Sequence, residues 1–184
     1  MIPELGHFSL ILSLFVALVL GLLGVAGGQT GRRDWLALVR PGTQALWLLT
    51  AFSYGCLTYA FYSNDFSVVY VVQHSNSQLP DIYRIAGVWG GHEGSLLLWH
   101  FMLTSWMLAV SLFSRQLPDA MVSRVLGVLG LVAVGFLVFM LFTSNPFLRL
   151  ADAPTDGRDL NPLLQDPGLV FHPPMLYMGY VGLA

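Results

Sequence analysis

His172 is the residue of this sequence whose surroundings point most clearly to chemistry. Pro173 and Pro174 follow it directly, and the sequence beyond them is apolar. Proline presets φ for a helix start and disfavours the α conformation in the residue before it. The pattern predicts a helix that begins near Pro174, with His172 held at its mouth on a membrane surface. A rigid imidazole on a wet apolar rim can bind a metal ion or a haem iron.

A second motif, Trp-Gly-Gly-His-Glu-Gly at 89–94, continues through an apolar run to Trp99. Residues seven apart lie nearly on one stripe of a helix, which aligns His92, Trp99 and Trp106. Such a stripe suits a flat aromatic ligand, and Trp89, His92 and Trp99 are therefore candidates to face haem. The alternative is that both tryptophans belong to an interfacial aromatic belt, while His92 pairs with Glu93 or water.

The remaining chemistry-bearing residues give weaker signals. His100 lies inside an apolar run, where ionisable residues are often functional, but a satisfied interface histidine explains it equally well. Arg158 could bind a carboxylate or a haem propionate, although pairing with Asp156 or Asp159 is the default expectation. The sequence contains no zinc-ligand spacing, Ser-His-Asp arrangement or phosphate-binding glycine loop. One histidine at the membrane mouth supplies at most one axial ligand.

The composition is that of an integral membrane protein. Of the 184 residues, 55% are hydrophobic and 10% are charged, whereas soluble domains carry roughly 25% charged residues. There is no lysine, and the net charge of −2 argues against nucleic-acid binding. The single cysteine, Cys56, excludes an internal disulfide, a haem-attachment motif and a dithiol redox site.

Four segments are apolar enough to cross a bilayer, which takes about 20 residues in a helix. They are residues 5–25, 43–62, 95–113 and 122–143. The fold predicted is all-α integral membrane, with four transmembrane helices plus the start of a fifth near Pro174. Since only eleven residues follow Pro173, we expect the chain to be the N-terminal piece of a longer protein. The first segment is too long for a secretory signal.

Arginine placement predicts the orientation. Five arginines lie on one side of the four predicted helices, and this side is expected to be cytoplasmic: Arg32, Arg33, Arg40, Arg115 and Arg124. The opposite side carries the longer segments 64–94 and 145–173, which are rich in Trp, His, Asp and Pro. The N-terminus, these long loops and His172 are therefore expected in the periplasm, on the outer face of a bacterial inner membrane.

Five stretches of the sequence resemble one known family: residues 64–71, 75–80, 89–99, 143–147 and 157–180. These blocks are long and unusual in composition, and the resemblance covers essentially the whole chain. The chain resembles the N-terminal portion of the CcmF/NrfE family, the membrane subunits of the cytochrome c-type biogenesis haem lyase. The family reading divides the chain into residues 1–88, with two transmembrane helices and the first periplasmic loop, and residues 89–184, an incomplete cytochrome c assembly domain.

The resemblance implies that the protein helps to attach haem covalently to apocytochrome c in the periplasm. Haem b would be the substrate and a bound cofactor of the full-length protein. The implied partners are the haem chaperone CcmE, a CcmH-type subunit, apocytochrome c and membrane lipid, with no nucleic acid. The family pattern places an external haem-ligand histidine at His172. Its other haem-binding elements lie further along, so this piece alone is not expected to be active as an enzyme.

Two other functions remain open at this point. A proton or ion transporter subunit would explain His92, Glu93 and His100 near one helix, but it predicts acidic residues at the centre of the spans. A scaffold whose loops dock partner proteins would need none of these side chains for chemistry. Within the family, the chain could also belong to the NrfE-type haem lyase that serves nitrite reductase.

Overall fold

The computed structural model describes residues 1–183, and helices account for most of them. In chain order the helices are α1 (Ile2–Thr30), α2 (Arg33–Tyr62), α3 (Val69–His74), α4 (Asp81–Ala86), α5 (His92–Phe113), α6 (Asp119–Phe142) and α7 (Pro167–Gly182). Two 3₁₀ turns span Gly87–Trp89 and Pro162–Leu164. Within the described residues no strand forms, and Val68 and Arg149 make an isolated bridge.

The protein is an all-helical integral membrane protein, as the composition predicted. Three helices are long and apolar enough to cross a membrane: α1, α5 and α6. Each extends a few residues beyond the apolar segment that the sequence delimited, because helices continue through polar interfacial residues. The fourth predicted span lies in α2, which has 30 residues and carries charged side chains in its first turns.

The two ends of the bundle are built differently. At one end, which we call the turn end, residues 31–32 join α1 to α2 and residues 114–118 join α5 to α6. At the other, which we call the loop end, the longer segments 63–91 and 143–166 connect α2 to α5 and α6 to α7. The N-terminus also lies at the loop end, where Glu4 forms a 3.0 Å ion pair with Arg149.

Small residues let α1 and α6 approach closely. A β-carbon on Gly24 would lie 2.6 Å from the Gly127 α-carbon, and one on Gly21 would lie 2.6 Å from the Leu131 side chain. The Ser123 hydroxyl donates to the Gly24 carbonyl at 2.9 Å across the same interface. Lipid provides little hydrophobic drive between helices, so this close packing of small residues is what holds the pair together.

The predicted start of the last helix was wrong. We expected it near Pro174, but α7 begins at Pro167, and Pro173 and Pro174 lie inside it. The Asp166 carboxylate accepts from the Gly168 amide at 2.8 Å and caps the helix, while Pro167 occupies the first turn. This cap, together with a proline in the position that tolerates it, gives the helix a local start signal seven residues before Pro174. His172 therefore lies inside a helix rather than before one.

Candidate functional site

His172 lies on an exposed face of α7 at the loop end. Met175 and Leu176, one turn further along the same face, are 72% and 51% exposed. Within residues 1–183 the His172 imidazole forms no hydrogen bond or ion pair, and no cluster of three His, Cys, Asp or Glu side chains could hold a metal ion. The geometry therefore offers one accessible imidazole ligand on an apolar surface, and no chelating site.

Trp99 connects α5 to the helix that carries His172. Its ring stacks on Tyr177 of α7 with centroids 6.0 Å apart and planes 7° from parallel. It also contacts Phe136 of α6 edge to face at 5.4 Å. Trp106, two turns further along α5, donates its indole N–H to the Met178 carbonyl at 3.3 Å. The two tryptophans thus hold the C-terminal half of α7 against α5.

A groove runs beside Trp99 between α5, α6 and α7. Its volume is about 520 Å³, and its walls are almost wholly apolar, including Trp99, Leu103, Phe136 and Tyr180. A neighbouring groove of about 410 Å³ continues towards the loop end along Leu96 and Phe139. Together they form an aromatic-lined channel on the side of α5 that faces α6 and α7.

His92 lies at the loop end of this channel, as the first residue of α5. Its Nδ1 lies 3.0 Å from the Ser144 hydroxyl, and its ring meets Phe139 edge to face at 5.8 Å. The alternative in which His92 pairs with Glu93 is wrong, because the partner is a serine beyond the end of α6. A bond at Nδ1 fixes the ring, and in the tautomer in which Nδ1 donates to Ser144 it leaves Nε2 as the free ligand atom.

Trp89 is half-buried at the end of the 3₁₀ turn that precedes α5. Its carbonyl accepts a 2.8 Å hydrogen bond from the Ser95 hydroxyl, and its ring packs against the buried core. Among the described residues, no hydrogen bond or aromatic ring contact joins Trp89, His92 or Trp99 to the His172 imidazole. The four predicted site residues therefore occupy one end and one side of the bundle without forming a single closed pocket.

Tyr70 is the structural residue that sequence reasoning missed. It is buried in α3, donates to the Val88 carbonyl at 3.0 Å and accepts from the Gly91 amide at 2.9 Å. Burial raises the pKa of its hydroxyl, which stays protonated. His74 lies against it, with Nδ1 3.0 Å from the Tyr70 carbonyl. A side chain on Gly91 would collide with His74. The cluster of glycines was therefore the sequence feature that could have indicated this close packing.

The segment before α7 docks onto the segment after α2. The Asp156 carboxylate accepts from the Ser77 amide at 2.9 Å and from its hydroxyl at 2.7 Å, which holds the pKa of that carboxyl below its usual value. Asp159 accepts from the Asn76 side chain at 2.8 Å. The expected pairing of Arg158 with either acid was wrong, because both carboxylates bond to residues 76–77 and the Arg158 guanidinium forms no ion pair within residues 1–183.

The side chain of His100, on α5, is fully buried within the protein. Its Nε2 lies 3.3 Å from the Thr50 hydroxyl of α2, and that hydroxyl donates to the Leu46 carbonyl. His100 and Thr50 therefore form a buried polar contact between α5 and α2. No Asp or Glu lies at the centre of α1, α2, α5 or α6, so the acidic relay that a transporter subunit predicts is missing from these helices.

The comparisons with known proteins are consistent with one another. A family model described as cytochrome C assembly protein matches residues 89–184. The chain is 57% identical over its whole length to the cytochrome c-type biogenesis protein CcmF of Pseudomonas aeruginosa, of which it covers 28%. It is 51% identical to CcmF of Escherichia coli and 47% identical to NrfE of Haemophilus influenzae, covering 29% of each.

A solved structure gives the same result for the fold. The chain matches a structure titled cytochrome c heme lyase CcmF with a TM-score of 0.86 and 26% sequence identity. The match covers 100% of this chain and 28% of that one. The chain therefore spans less than a third of the length of the relatives it matches.

Proposed function

Because the chain belongs to the cytochrome c assembly protein family, with CcmF and NrfE proteins among its relatives, we propose that it forms the N-terminal part of a haem lyase subunit. In this proposal the complete subunit attaches haem to apocytochrome c, and residues 1–184 contribute one part of its haem-handling surface. The division into residues 1–88 and the assembly domain from residue 89 belongs to the same proposal. The observation that carries it is His172, exposed on α7 at the loop end.

We propose four membrane spans, with α2 joining α1, α5 and α6, and α7 as the start of a fifth. A 30-residue helix is roughly 45 Å long, which exceeds the hydrocarbon thickness, and α2 packs along both α1 and α5. The turn end carries five arginines, which supports a cytoplasmic position. At the loop end, Arg84 pairs with Asp81 at 3.2 Å and Arg149 pairs with Glu4. The loop end, with the N-terminus, then faces the periplasm from the inner membrane.

His172 fits the part of an axial ligand to the substrate haem. Its imidazole is accessible, and Met175 and Leu176 give it apolar neighbours that suit a porphyrin face. Since a single imidazole occupies one axial position, the other ligand must come from elsewhere. Haem supplies the reacting vinyl groups, and this chain's contribution is to bind the iron and orient the macrocycle. Haem b is the form we propose, as substrate and as bound cofactor of the complete subunit.

His92, Trp99 and Trp89 are the second set of candidate haem-facing residues. With Nδ1 of His92 donating to the Ser144 hydroxyl, its Nε2 is free, and the channel beside Trp99 is apolar and aromatic. A flat macrocycle can bind such walls by stacking and edge contacts. These residues are proposed to contact haem on its way to or from His172, and not to complete the same coordination site.

The proposed partners follow from the same reading. The haem chaperone CcmE would deliver haem to the loop end, and a CcmH-type subunit would present apocytochrome c there. Positioning contributes most to such a reaction, because holding the two reactants in register removes much of the entropic barrier. The similarity to a CcmF at 57% identity, against 47% for an NrfE, favours the CcmF type over the NrfE-type haem lyase for nitrite reductase.

The test is His172→Ala in the complete subunit. We expect weaker haem binding in the absorption spectrum and a low yield of c-type cytochrome, because the iron loses a ligand. His7→Ala is the matched control: His7 also lies at the loop end, where its Nε2 is 3.5 Å from Asn145, and it has no proposed contact with haem. An unchanged spectrum and yield in His172→Ala, at equal protein level, would contradict the proposal.

A further inference from the structure

Leu160 is fully buried although it lies in the irregular segment between α6 and α7. It rests on the α-carbon of Gly90, in the tryptophan-glycine motif before α5. A β-carbon at position 90 would lie 2.8 Å from Leu160 Cδ1 and 3.3 Å from Leu164 Cδ1. The two leucines and Gly90 therefore form a contact that exists only because position 90 has no side chain. We call this contact the glycine seat.

Gly90 is required here for space and not for backbone conformation. Its φ of −72° and ψ of −12° lie in the helical region that any L-residue can adopt. An alanine would therefore fit the backbone conformation, and its largest effect would come from the collision with Leu160, with the Gly87 carbonyl at 3.2 Å as a second close neighbour. Carbon atoms pack at about 3.5–4.0 Å, so Leu160 would have to move by about 1 Å.

A continuous set of bonds leads from the glycine seat to α7. The Gln165 side chain donates to the Leu160 carbonyl at 2.9 Å. The Asn161 side chain accepts from the Leu163 amide at 3.1 Å and caps the short 3₁₀ turn. Asp166 then caps α7. Since each step is tied to the next, a displacement of Leu160 is carried into the first turn of α7, and His172 lies in the turn that follows.

We infer that Gly90 is a positioning residue for His172, acting through Leu160, Leu164 and the N-terminus of α7. This inference rests on the proposed function, because placing His172 matters only if His172 binds haem. It assigns the glycine motif to the same haem-handling surface. The stack of Trp99 on Tyr177 holds the other half of α7. His172 then lies between two packed contacts of α7. The glycine seat fixes the N-terminal side, and the stack of Trp99 on Tyr177 fixes the C-terminal side.

Spin-label distances test this placement without haem. Labels at Ile82 of α4 and Met175 of α7 occupy exposed positions, in a background where the buried Cys56 is replaced by alanine. The full-length protein is reconstituted in nanodiscs, with Gly90→Ala and Gly90→Val as the test variants. Gly55→Ala is the control, because a β-carbon there meets no atom within 4 Å.

We expect a shifted mean distance in Gly90→Ala, a larger shift in Gly90→Val, and none in Gly55→Ala. Adding Leu160→Val to Gly90→Ala should restore the distance, because valine lacks the δ-carbon that collides. This rescue separates positioning from general loss of stability. An unchanged distance in both Gly90 variants would overturn the inference, and so would a shift that Leu160→Val leaves uncorrected.

The haem spectrum is recorded on the same samples and gives a separate answer. If His172→Ala lowers haem binding, Gly90→Ala should lower it in the same direction, and Leu160→Val should recover it. Haem binding that is insensitive to Gly90→Ala while the distance moves would also overturn the positioning role. Haem binding insensitive to His172→Ala instead counts against the proposed function, while the distance result still decides whether Gly90 places α7.

Discussion

The turn end and the loop end solve the same problem, the joining of helices, by different means. At the turn end, arginines bind the carbonyl groups that a helix leaves free. Arg124 donates to the Gly28 carbonyl at 2.8 and 2.6 Å, and Arg40 bonds to the Ser111 and Ser114 carbonyls at the end of α5. At the loop end, glycines allow backbones and buried side chains to meet directly.

The difference shows which end is built to present a side chain. Charged side chains at the turn end neutralise the negative ends of α1 and α5. The loop end instead buries Tyr70, Leu160 and a set of capped turns, and leaves His172 exposed above them. Ion pairs such as Glu4–Arg149 also lie at the loop end, but its buried contacts do not depend on salt. We therefore attribute rigid presentation to the loop end and plain connection to the turn end.

Of the three substitutions, Gly94→Ala should destabilise the loop end most. A β-carbon there would collide with the Val88 carbonyl and lie 2.7 Å from the Tyr70 hydroxyl. Neither neighbour is a flexible side-chain tip, so we expect a loss of about 3 kcal/mol from overpacking. Thermal unfolding of the purified protein measures it, with Gly55→Ala as the control. An unchanged midpoint would contradict the close packing described for Gly94.

Arg124→Gln should weaken the turn end while sparing the site. The variant loses the charge-assisted bonds to Gly28, and because Arg124 is exposed we expect only about 1 kcal/mol. Arg115→Gln is the matched control, since Arg115 forms no hydrogen bond within residues 1–183. The haem spectrum should stay unchanged in both variants. A change in the spectrum of Arg124→Gln would show that the two ends are not independent.

Asp156 should give the smallest effect, visible only in acid. Its pKa is lowered by the Ser77 hydroxyl and amide, so its contribution is present above the ordinary value of about 4. It is lost as pH falls through the lowered folded-state pKa. The protection factor of the Ser77 amide, its exchange rate relative to the intrinsic rate at each pH, should therefore fall in acid in the native protein. In Asp156→Asn that acid step should be missing, and its persistence would assign the step to another group.

The membrane character and the apolar helices could be predicted because they depend on local composition. The start of α7 was harder to predict, because two local signals compete there. Asp166 followed by Pro167 is one helix start, and the proline pair at 173–174 indicates another. The hydrogen-bond partner of His92 could not be predicted from the sequence either. Ser144 is 52 positions away, and helical periodicity carries no information about such distant pairs.

The glycine motif shows why the candidate site was only partly predictable. The stripe that starts at His92 predicted a surface for a flat ligand, but the space at Gly90, Gly91 and Gly94 is filled by the protein's own Leu160, His74 and Tyr70. Sequence alone reveals that space is needed, but not which atoms occupy it. Only the contacts in the folded loop end show whether a glycine faces a ligand or makes room for another segment of the chain.

Chemical rescue at position 172 tests the central claim most directly. In His172→Gly, the complete subunit should lose the absorption signature of imidazole-ligated haem, and added imidazole should restore it, because the free ligand can occupy the space left by the side chain. Gly90 and Trp99 remain intact in this variant, so the platform is preserved. A His172→Gly spectrum identical to that of the native protein, before imidazole is added, would contradict the account.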